Sequence, residues 1–234
     1  MTITSPHNET IRDLRKLAGR RWRDKLRQFV AEGEDLLEAA DAAGWTPEVR
    51  LVAAGSGLDG VEVAPHVLAD VSQLGSGTRA LAVYPQRWAA RPTSPCVALW
   101  GVGDPGNVGT VLRAADAFGA GSVALGPGSA DPFGHKAVRA SMGSVFRVPV
   151  IRVRAVEELP APRVALVARA GRPLEDLGEV GTLVVGAERE GIPPDVVAGC
   201  DETAHIRIRS ESLNAAMAAT VALYVTRAPR MPAA

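Results

Sequence analysis

Residues able to handle a hydroxyl or a phosphate occur at three points in this sequence, each beside a glycine or an apolar run. In "WGVGDPGNVGTVLRAAD", Asn107 follows Gly101, Gly103 and Gly106, and Arg113 comes six residues later. In "TLVVGAEREGIP", Glu188 follows Gly186 at the end of an apolar run. In "SESLNAAMAATVALYV", Ser212 and Asn214 flank Leu213. A carboxylate such as Glu188 can accept a hydrogen bond from a ligand or orient an arginine, and a glycine such as Gly186 lets backbone approach a ligand closely. A fourth stretch, "PFGHKAVRASMGSVFRVPV", combines Lys136, Arg139, Ser141 and Ser144 with glycines at 134 and 143, a mix able to grip phosphates. The histidines at 7, 66, 135 and 205 form no ligand cluster and no triad, and the chain lacks G-x-S-x-G and Walker A patterns. No metal is expected.

Each position also has an ordinary reading. Asn107 can be a helix N-cap. Arg113 lies about 120° around the helix from Asn107, off the apolar stripe, where it can pair with Asp116 or stay solvated. Glu188 can be an exposed acidic turn, and residues 135–146 a surface helix. Pattern alone makes Ser212 an N-cap and leaves Asn214 in the first turn of a helix whose core stripe is Leu213, Ala216, Met217, Thr220, Val221 and Tyr224. The glycines at 101, 103 and 106 spell G-x-G-x-x-G, but a dinucleotide site needs an acidic residue closing the next strand. That strand ends "ALGPGS", and Pro105 sits inside the would-be phosphate turn, so a Rossmann oxidoreductase is disfavoured.

The elements that must position these residues alternate. The segments "NETIRDLRKLAGRRWRDKL" and "FVAEGEDLLEAADAAG" are expected as helices, and "VRLVAA", "VEVAP" and "ALAVYP" as strands, with a short helix in "HVLADVSQL". After the proline-bearing stretch 85–96, strands are expected in "CVALWGV", "SVALGP", "VPVIRV", "RVALVAR", "TLVVGAE" and "HIRIR", with helices at "NVGTVLRAADAFGA", within 132–146 and at the C-terminal stretch. Strands separated by helices predict a mostly parallel sheet covered on both faces. The reading is therefore α/β, divided into a small unit at 1–88, a linker at 89–95 and a larger unit at 96–234.

The 234 residues are 47% hydrophobic and 22% charged, ordinary for a globular chain, with a net charge of zero. The charge is unevenly spread. Residues 11–27 hold eight Lys/Arg against two Asp, and residues 135–154 hold five Lys/Arg and no acid. Two basic segments on a neutral chain point to a polyanion partner or to solvated basic helices. Cys96 and Cys200 fit no metal spacing and no disulfide framework, which suggests a reducing compartment. No apolar run approaches the ~20 residues of a membrane span, and the first residues show no apolar signal region. A cytoplasmic protein with no membrane association is expected.

Taken in order, "NVGTVLRAADAFGA", "LVVGAEREGIP" and "IRIRSESLNAAMAATVALYV" resemble the three motifs of the SpoU/TrmH family of RNA ribose 2′-O-methyltransferases, within the SPOUT superfamily. "HKAVRASMGSVFRVPV" is similar to the family's stretch between the first two motifs. "LAGRRWRDKLRQFVAEGEDLLEAA" resembles the basic helix and Phe-Val-x-Glu-Gly start of its L30e-like substrate-binding domain, so the likeness covers nearly the whole chain.

The resemblance implies a SPOUT α/β knot, with a deep C-terminal trefoil knot, behind a small L30e-like α/β domain. It implies S-adenosylmethionine as cofactor and a homodimer formed through the C-terminal domain. It carries catalytic roles onto Asn107, Arg113, Glu188, Ser212 and Asn214, and cofactor contacts onto Val185, Gly186, Ala187, Ile206 and Leu213. RNA contacts are expected from Arg20, Arg21, Arg23, Lys136, Arg139 and Ser141. The substrate it favours is ribosomal RNA, 23S in particular, with tRNA or a silent RNA-binding role as alternatives. "IRIRSESLN" is shorter than in many relatives and has Arg207 where proline is common, so the loop at the methionine end of the cofactor is expected to differ in shape.

Overall fold

Asn8 opens the first helix. Its Oδ1 accepts the Thr10 amide at 2.9 Å, a side-chain cap on α1 (Glu9–Lys16). In this computed structural model, which describes residues 2–74 and 77–227, Gly19 separates α1 from α2 (Arg20–Leu26). Arg27 then takes a left-handed conformation, with φ of 57°, and turns the chain into β1 (Gln28–Glu32). The helix expected from Phe29 onward therefore starts late, as α3 (Glu34–Ala42). Phe29 and Ala31 share one buried face of β1, a period of two that outweighs the helical spacing.

Next come β2 (Val49–Ala53), β3 (Val61–Val63), α4 (Pro65–Ala69) and β4 (Ala80–Pro85). They form a four-stranded sheet in the order β1-β4-β2-β3, antiparallel except for β2 with β3.

The second sheet has seven strands, and every neighbouring pair in it is parallel. Its elements in chain order are β5 (Cys96–Trp100), α5 (Pro105–Ala117), β6 (Ser122–Leu125), α6 (His135–Ala140), β7 (Val150–Arg152), β8 (Arg163–Leu166), β9 (Arg172–Pro173), β10 (Thr182–Gly186), α7 (Pro194–Ala198), β11 (Glu202–His205) and α8 (Ala215–Arg227). The spatial order is β7-β6-β5-β10-β8-β11-β9. Every residue of β5 is buried because both faces are covered: Val97 and Leu99 join one core, and Cys96, Ala98 and Trp100 join the other.

The strand expected at 205–209 lies earlier, at 202–205. His205 pairs with Pro173, which has no N–H to carry a ladder on, and residues 206–209 leave the sheet. The expected range 96–234 also includes residues 228–234, which lie outside the described residues.

The two sheets share a core rather than hanging on a tether. Phe29 packs against Phe133 with ring centroids 4.8 Å apart and against Phe146 at 5.9 Å, and Trp45 Nε1 donates to the Phe146 carbonyl at 2.8 Å. Arg23 reaches Asp131 at 2.9 Å and donates to the Leu17 carbonyl, both in a buried setting, and also to the half-buried Ala18 carbonyl. The stretch expected as linker is itself bonded down, with the Ala89 amide on the Val150 carbonyl at 2.9 Å.

Glu32 closes β1 at this seam. Burial alone would raise its carboxyl. Hydrogen bonds from His135, Ser72, Thr78 and the Gln73 amide together outweigh that and hold it at about 2, against an ordinary 4.5. The folded value is depressed, so the stabilisation is present above pH 4.5 and is lost as pH falls from there towards 2. Acid titration of the unfolding free energy should show a loss of up to about 3 kcal/mol in that window, and Glu32→Gln should remove most of this slope. An unchanged slope in the variant would mean that other carboxylates govern acid stability.

Candidate active site

The C-terminal ends of β5 and β10 lie side by side at the centre of the sheet, with Trp100 in register with Gly186. Parallel sheets present their ligand crevices at this edge. Two helices begin there. Asp104, not Asn107, caps α5: its Oδ1 accepts the Gly106 amide at 2.5 Å and the Asn107 amide at 3.3 Å, and Pro105 takes the first helical position. Hydrogen bonding from Lys136, at 3.0 and 3.2 Å, is the chief cause holding the Asp104 carboxyl below its ordinary value. The capping role that pattern alone would give Asn107 thus falls to Asp104, which leaves the Asn107 side chain available to the site.

At α8 the assignment reverses. Asn214 rather than Ser212 caps the helix, with Oδ1 accepting the Ala216 amide at 3.0 Å and the Met217 amide at 3.2 Å. Its Nδ2 then donates to Asn107 Oδ1 at 3.0 Å and to Glu188 Oε1 at 3.3 Å, and Asn107 Nδ2 also donates to Glu188 Oε1. Three motifs separated by up to 107 residues thus close into one hydrogen-bonded triangle. The Glu188 carboxylate sits against the N-terminal ends of two thirteen-residue helices, whose dipoles favour an anion.

The triangle stands between two clefts. One has a volume of about 500 Å³ and is lined by Val185, Gly186, Ala187, Ile206, Ser212 and Leu213 among others. All five residues expected to touch a cofactor therefore lie on one cavity, with Ser212 on its wall. The other cleft is wider and is lined by Gly101, Gly103, Asp104, Asn107, Lys136 and Asn214 among others. Residues 187–190 line both, so a ligand in each would meet across that strip.

Gly186 is a necessity of this layout. A side-chain carbon there would overlap the Gly191–Ile192 backbone, which folds back over the strand end. The run 185–191 and residues 211–213, with Ile206, Ile208 and Leu213 as apolar walls, suit a flat heterocycle with polar edges. These features fit the adenosine part of S-adenosylmethionine.

Sequence reading missed Leu166, Val167 and Ala168, at the end of β8, which also line this cavity. The strand order puts β8 beside β10, and that adjacency left no local pattern to read. The Arg207 loop has its own anchor, with Nε 3.3 Å from Glu175 and Nη2 3.8 Å from Asp176.

Other expected residues fall elsewhere. Arg113 is exposed on α5 and lines neither cleft. Asp116, its suggested partner, instead binds Arg147 at 2.6 Å and Ser144 Oγ at 2.9 Å. Arg23 and Ser141, expected to face RNA, are buried: Arg23 is spent on Asp131, and Ser141 Oγ donates to the Val138 carbonyl at 2.7 Å. Arg20, Arg21, Lys136 and Arg139 are exposed.

On α8 the expected core stripe is partly outside. Ala215, Ala216, Ala219, Ala222 and Leu223 are buried, whereas Met217 is 59% exposed, Tyr224 60% and Val221 36%. Helices α5 and α8 run in the same direction, Asn107 meeting Asn214 at one end and Phe118 meeting Tyr224, 6.0 Å between centroids, at the other. The buried alanines are what allow the close approach.

Residues 94–224 match the profile of the SpoU rRNA Methylase family, and residues 8–82 that of the MRM3-like substrate binding domain. The 23S rRNA (guanosine(2553)-2′-O)-methyltransferase RlmP of Bacillus subtilis is 31% identical over 96% of this chain and 98% of its own length. An AdoMet-bound rRNA methyltransferase from Sinorhizobium meliloti superposes with a TM-score of 0.88 at 27% identity, covering 99% of both chains. The SpoU methyltransferase AviRb from Streptomyces viridochromogenes, in complex with AdoMet, does so with a TM-score of 0.85 at 25% identity, covering 96% of this chain and 98% of its own.

Proposed function

The chain belongs to the SpoU rRNA methylase family, and from that premise we propose that it transfers a methyl group from S-adenosylmethionine to a ribose 2′-hydroxyl of ribosomal RNA, 23S in particular. One observation carries this reading: the Asn107–Glu188–Asn214 triangle stands where a cofactor cleft and a substrate cleft share a wall. RlmP, which acts on 23S rRNA, matches over nearly the full length of both chains, and that favours ribosomal RNA over tRNA.

When bound, S-adenosylmethionine supplies an electrophilic sulfonium methyl. Val185, Gly186, Ala187, Ile206 and Leu213 would hold it from their shared cavity. The protein's remaining task is to place a poor nucleophile and stabilise charge developing on its oxygen. The triangle presents amide donors and a carboxylate acceptor, fixed by two helix starts, to a hydroxyl arriving in the wider cleft. Ser212 completes the rim.

Arg113 lines neither cleft of its own chain, so we assign it to the substrate cleft of the partner subunit in a homodimer, where it would grip an RNA phosphate and stabilise the alkoxide, with that phosphate as proton acceptor. Arg113→Ala should keep cofactor affinity within about twofold and lose at least about 100-fold in methyl transfer, the scale of removing one charge-stabilising donor. Isothermal titration and tritium transfer from labelled cofactor measure the two. Near-normal turnover would remove Arg113 from the reaction.

We assign the division into 1–88, 89–95 and 96–234, a knotted C-terminal chain path and a cytoplasmic location to the same reading. A homodimer through α8 is supported by the exposed row Met217, Val221 and Tyr224, an apolar stripe of the kind that partner subunits cover. Sedimentation as a monomer at micromolar concentration would discard it. Arg20, Arg21, Lys136 and Arg139 supply a basic surface whose RNA affinity should fall with salt. Mapping 2′-O-methyl sites in RNA from cells with and without the protein identifies the nucleotide, and a tRNA site would redirect the assignment.

A further inference from the structure

The chemistry above leaves unused a cleft at the seam of the two sheets, beyond the ends of β6 and β7. It has a volume of about 320 Å³. One wall is the loop 126–132, with Pro127 and Pro132, and the other carries Arg20, Trp88, Arg152 and Arg154.

The cationic wall is preassembled. The Arg152 guanidinium carbon lies 4.1 Å from the Trp88 ring centroid. Trp88 is held edge-on against Phe133, centroids 5.0 Å apart, and donates from Nε1 to Gln86 at 3.1 Å. Asp24 fixes Arg152 from the other side at 2.7 Å and approaches Arg20 at 3.6 Å. Asp24 pairs with Arg152 and Arg20, and Glu158 accepts the Arg154 amide at 2.7 Å and feels its charge, so three arginines against two carboxylates leave the cleft positive.

The cleft adjoins the substrate side of the active site. A side-chain carbon on Gly128 would sit 3.2 Å from the Gly101 Cα, and Gly101 lines the substrate cleft. The two glycines meet where the clefts adjoin.

We propose that the seam cleft binds an unpaired RNA nucleotide near the methylated one, with its base stacked on the Arg152 guanidinium and its phosphate against Arg20 and Arg154. A simple anion would need the charge but not a flat guanidinium backed by indole between proline walls. Splayed bases use such surfaces. Arg20, Asp24 and Trp88 come from the N-terminal unit and Arg152, Arg154 and the loop 126–132 from the larger one, so a nucleotide here is registered against both and sets which ribose reaches Glu188.

This rests on RNA being the substrate, and the test separates the two claims. Full-length wild type, Arg152→Ala and Arg152→Lys are assayed on ribosomal RNA from cells lacking the protein, with thermal melting as the folding check. Lysine keeps the charge and loses the plane. Both variants should raise the KM for RNA about tenfold or more, the scale of one lost base stack, with kcat and cofactor affinity near wild type. Ribosomal RNA carrying 4-thiouridine should crosslink to wild-type residues within 126–132.

A wild-type KM in Arg152→Lys overturns the stacking. Crosslinks confined to α6 move the nucleotide elsewhere. Should both variants unfold, the crosslinks in wild type decide. A wild type that neither methylates nor crosslinks ribosomal RNA overturns the substrate reading itself, and the seam proposal with it.

Discussion

Gly186→Ala is expected to abolish S-adenosylmethionine binding at concentrations where the wild type is saturated. The new methyl carbon would overlap the carbonyl of Gly191 and the amide of Ile192. Neither is a side-chain end that can swing away, so the segment 187–191 must lift off the strand. That segment carries the Gly191 amide bond to the Ala187 carbonyl at 2.9 Å and forms the wall shared by both clefts. Overpacking of this kind costs about 1–3 kcal/mol in a core. Here the cost is met by displacing the cofactor's own wall, so affinity should fall at least about 100-fold, or about 2.7 kcal/mol. Calorimetric titration checks it alongside circular dichroism, which should stay native. Affinity within threefold of wild type would mean that the loop position is immaterial to the cofactor.

The largest loss of stability is expected from Asp131→Ala. Asp131 accepts the buried Arg23 Nε at 2.9 Å through one oxygen and the Phe133 amide at 3.0 Å through the other. Removing it leaves the guanidinium without its hydrogen-bonded carboxylate in a site where the side chains of the pair are 9% and 5% exposed. Breaking one side of a buried pair costs about 3–5 kcal/mol, which for a chain of this size lowers Tm by roughly 6–20 °C. Replacing both, with Arg23→Met and Asp131→Leu, should recover most of that loss. A Tm shift under about 3 °C in the single variant would mean that the seam relaxes and admits water.

How much of this was legible depended on how local the cause was. The alternation of strands and helices, and the glycine and carboxylate at the end of β10, come from contiguous patterns and were read directly. So was the grouping of Val185, Gly186, Ala187, Ile206 and Leu213, through resemblance to the family motifs.

The helix caps were misread by a few residues. Asp104 before Pro105 carries the ordinary signature of a helix start, and Asn107 three residues on is of an equally good capping type. The burial of Arg23 was not readable, because its partner is 108 residues away and each lies in a polar segment of its own. The exposure of Met217, Val221 and Tyr224 was hidden for a related reason: an apolar stripe facing outward and one facing the core have the same period.

The order of the large sheet has a consequence for how the chain is made. β10 lies between β5 and β8, yet it follows β5 by some eighty residues of sequence. During synthesis β5 can pair with β6 soon after both emerge, but its other edge stays open until residue 186 leaves the ribosome. At about 5–20 residues per second that is an interval of seconds. Its side chains are all apolar, "CVALW", and an open apolar edge is a template for foreign strands. The early, locally closed N-terminal sheet, which packs onto the region following β6 through Phe29, Phe133 and Phe146, shields part of the nascent sheet while it waits for its central strand.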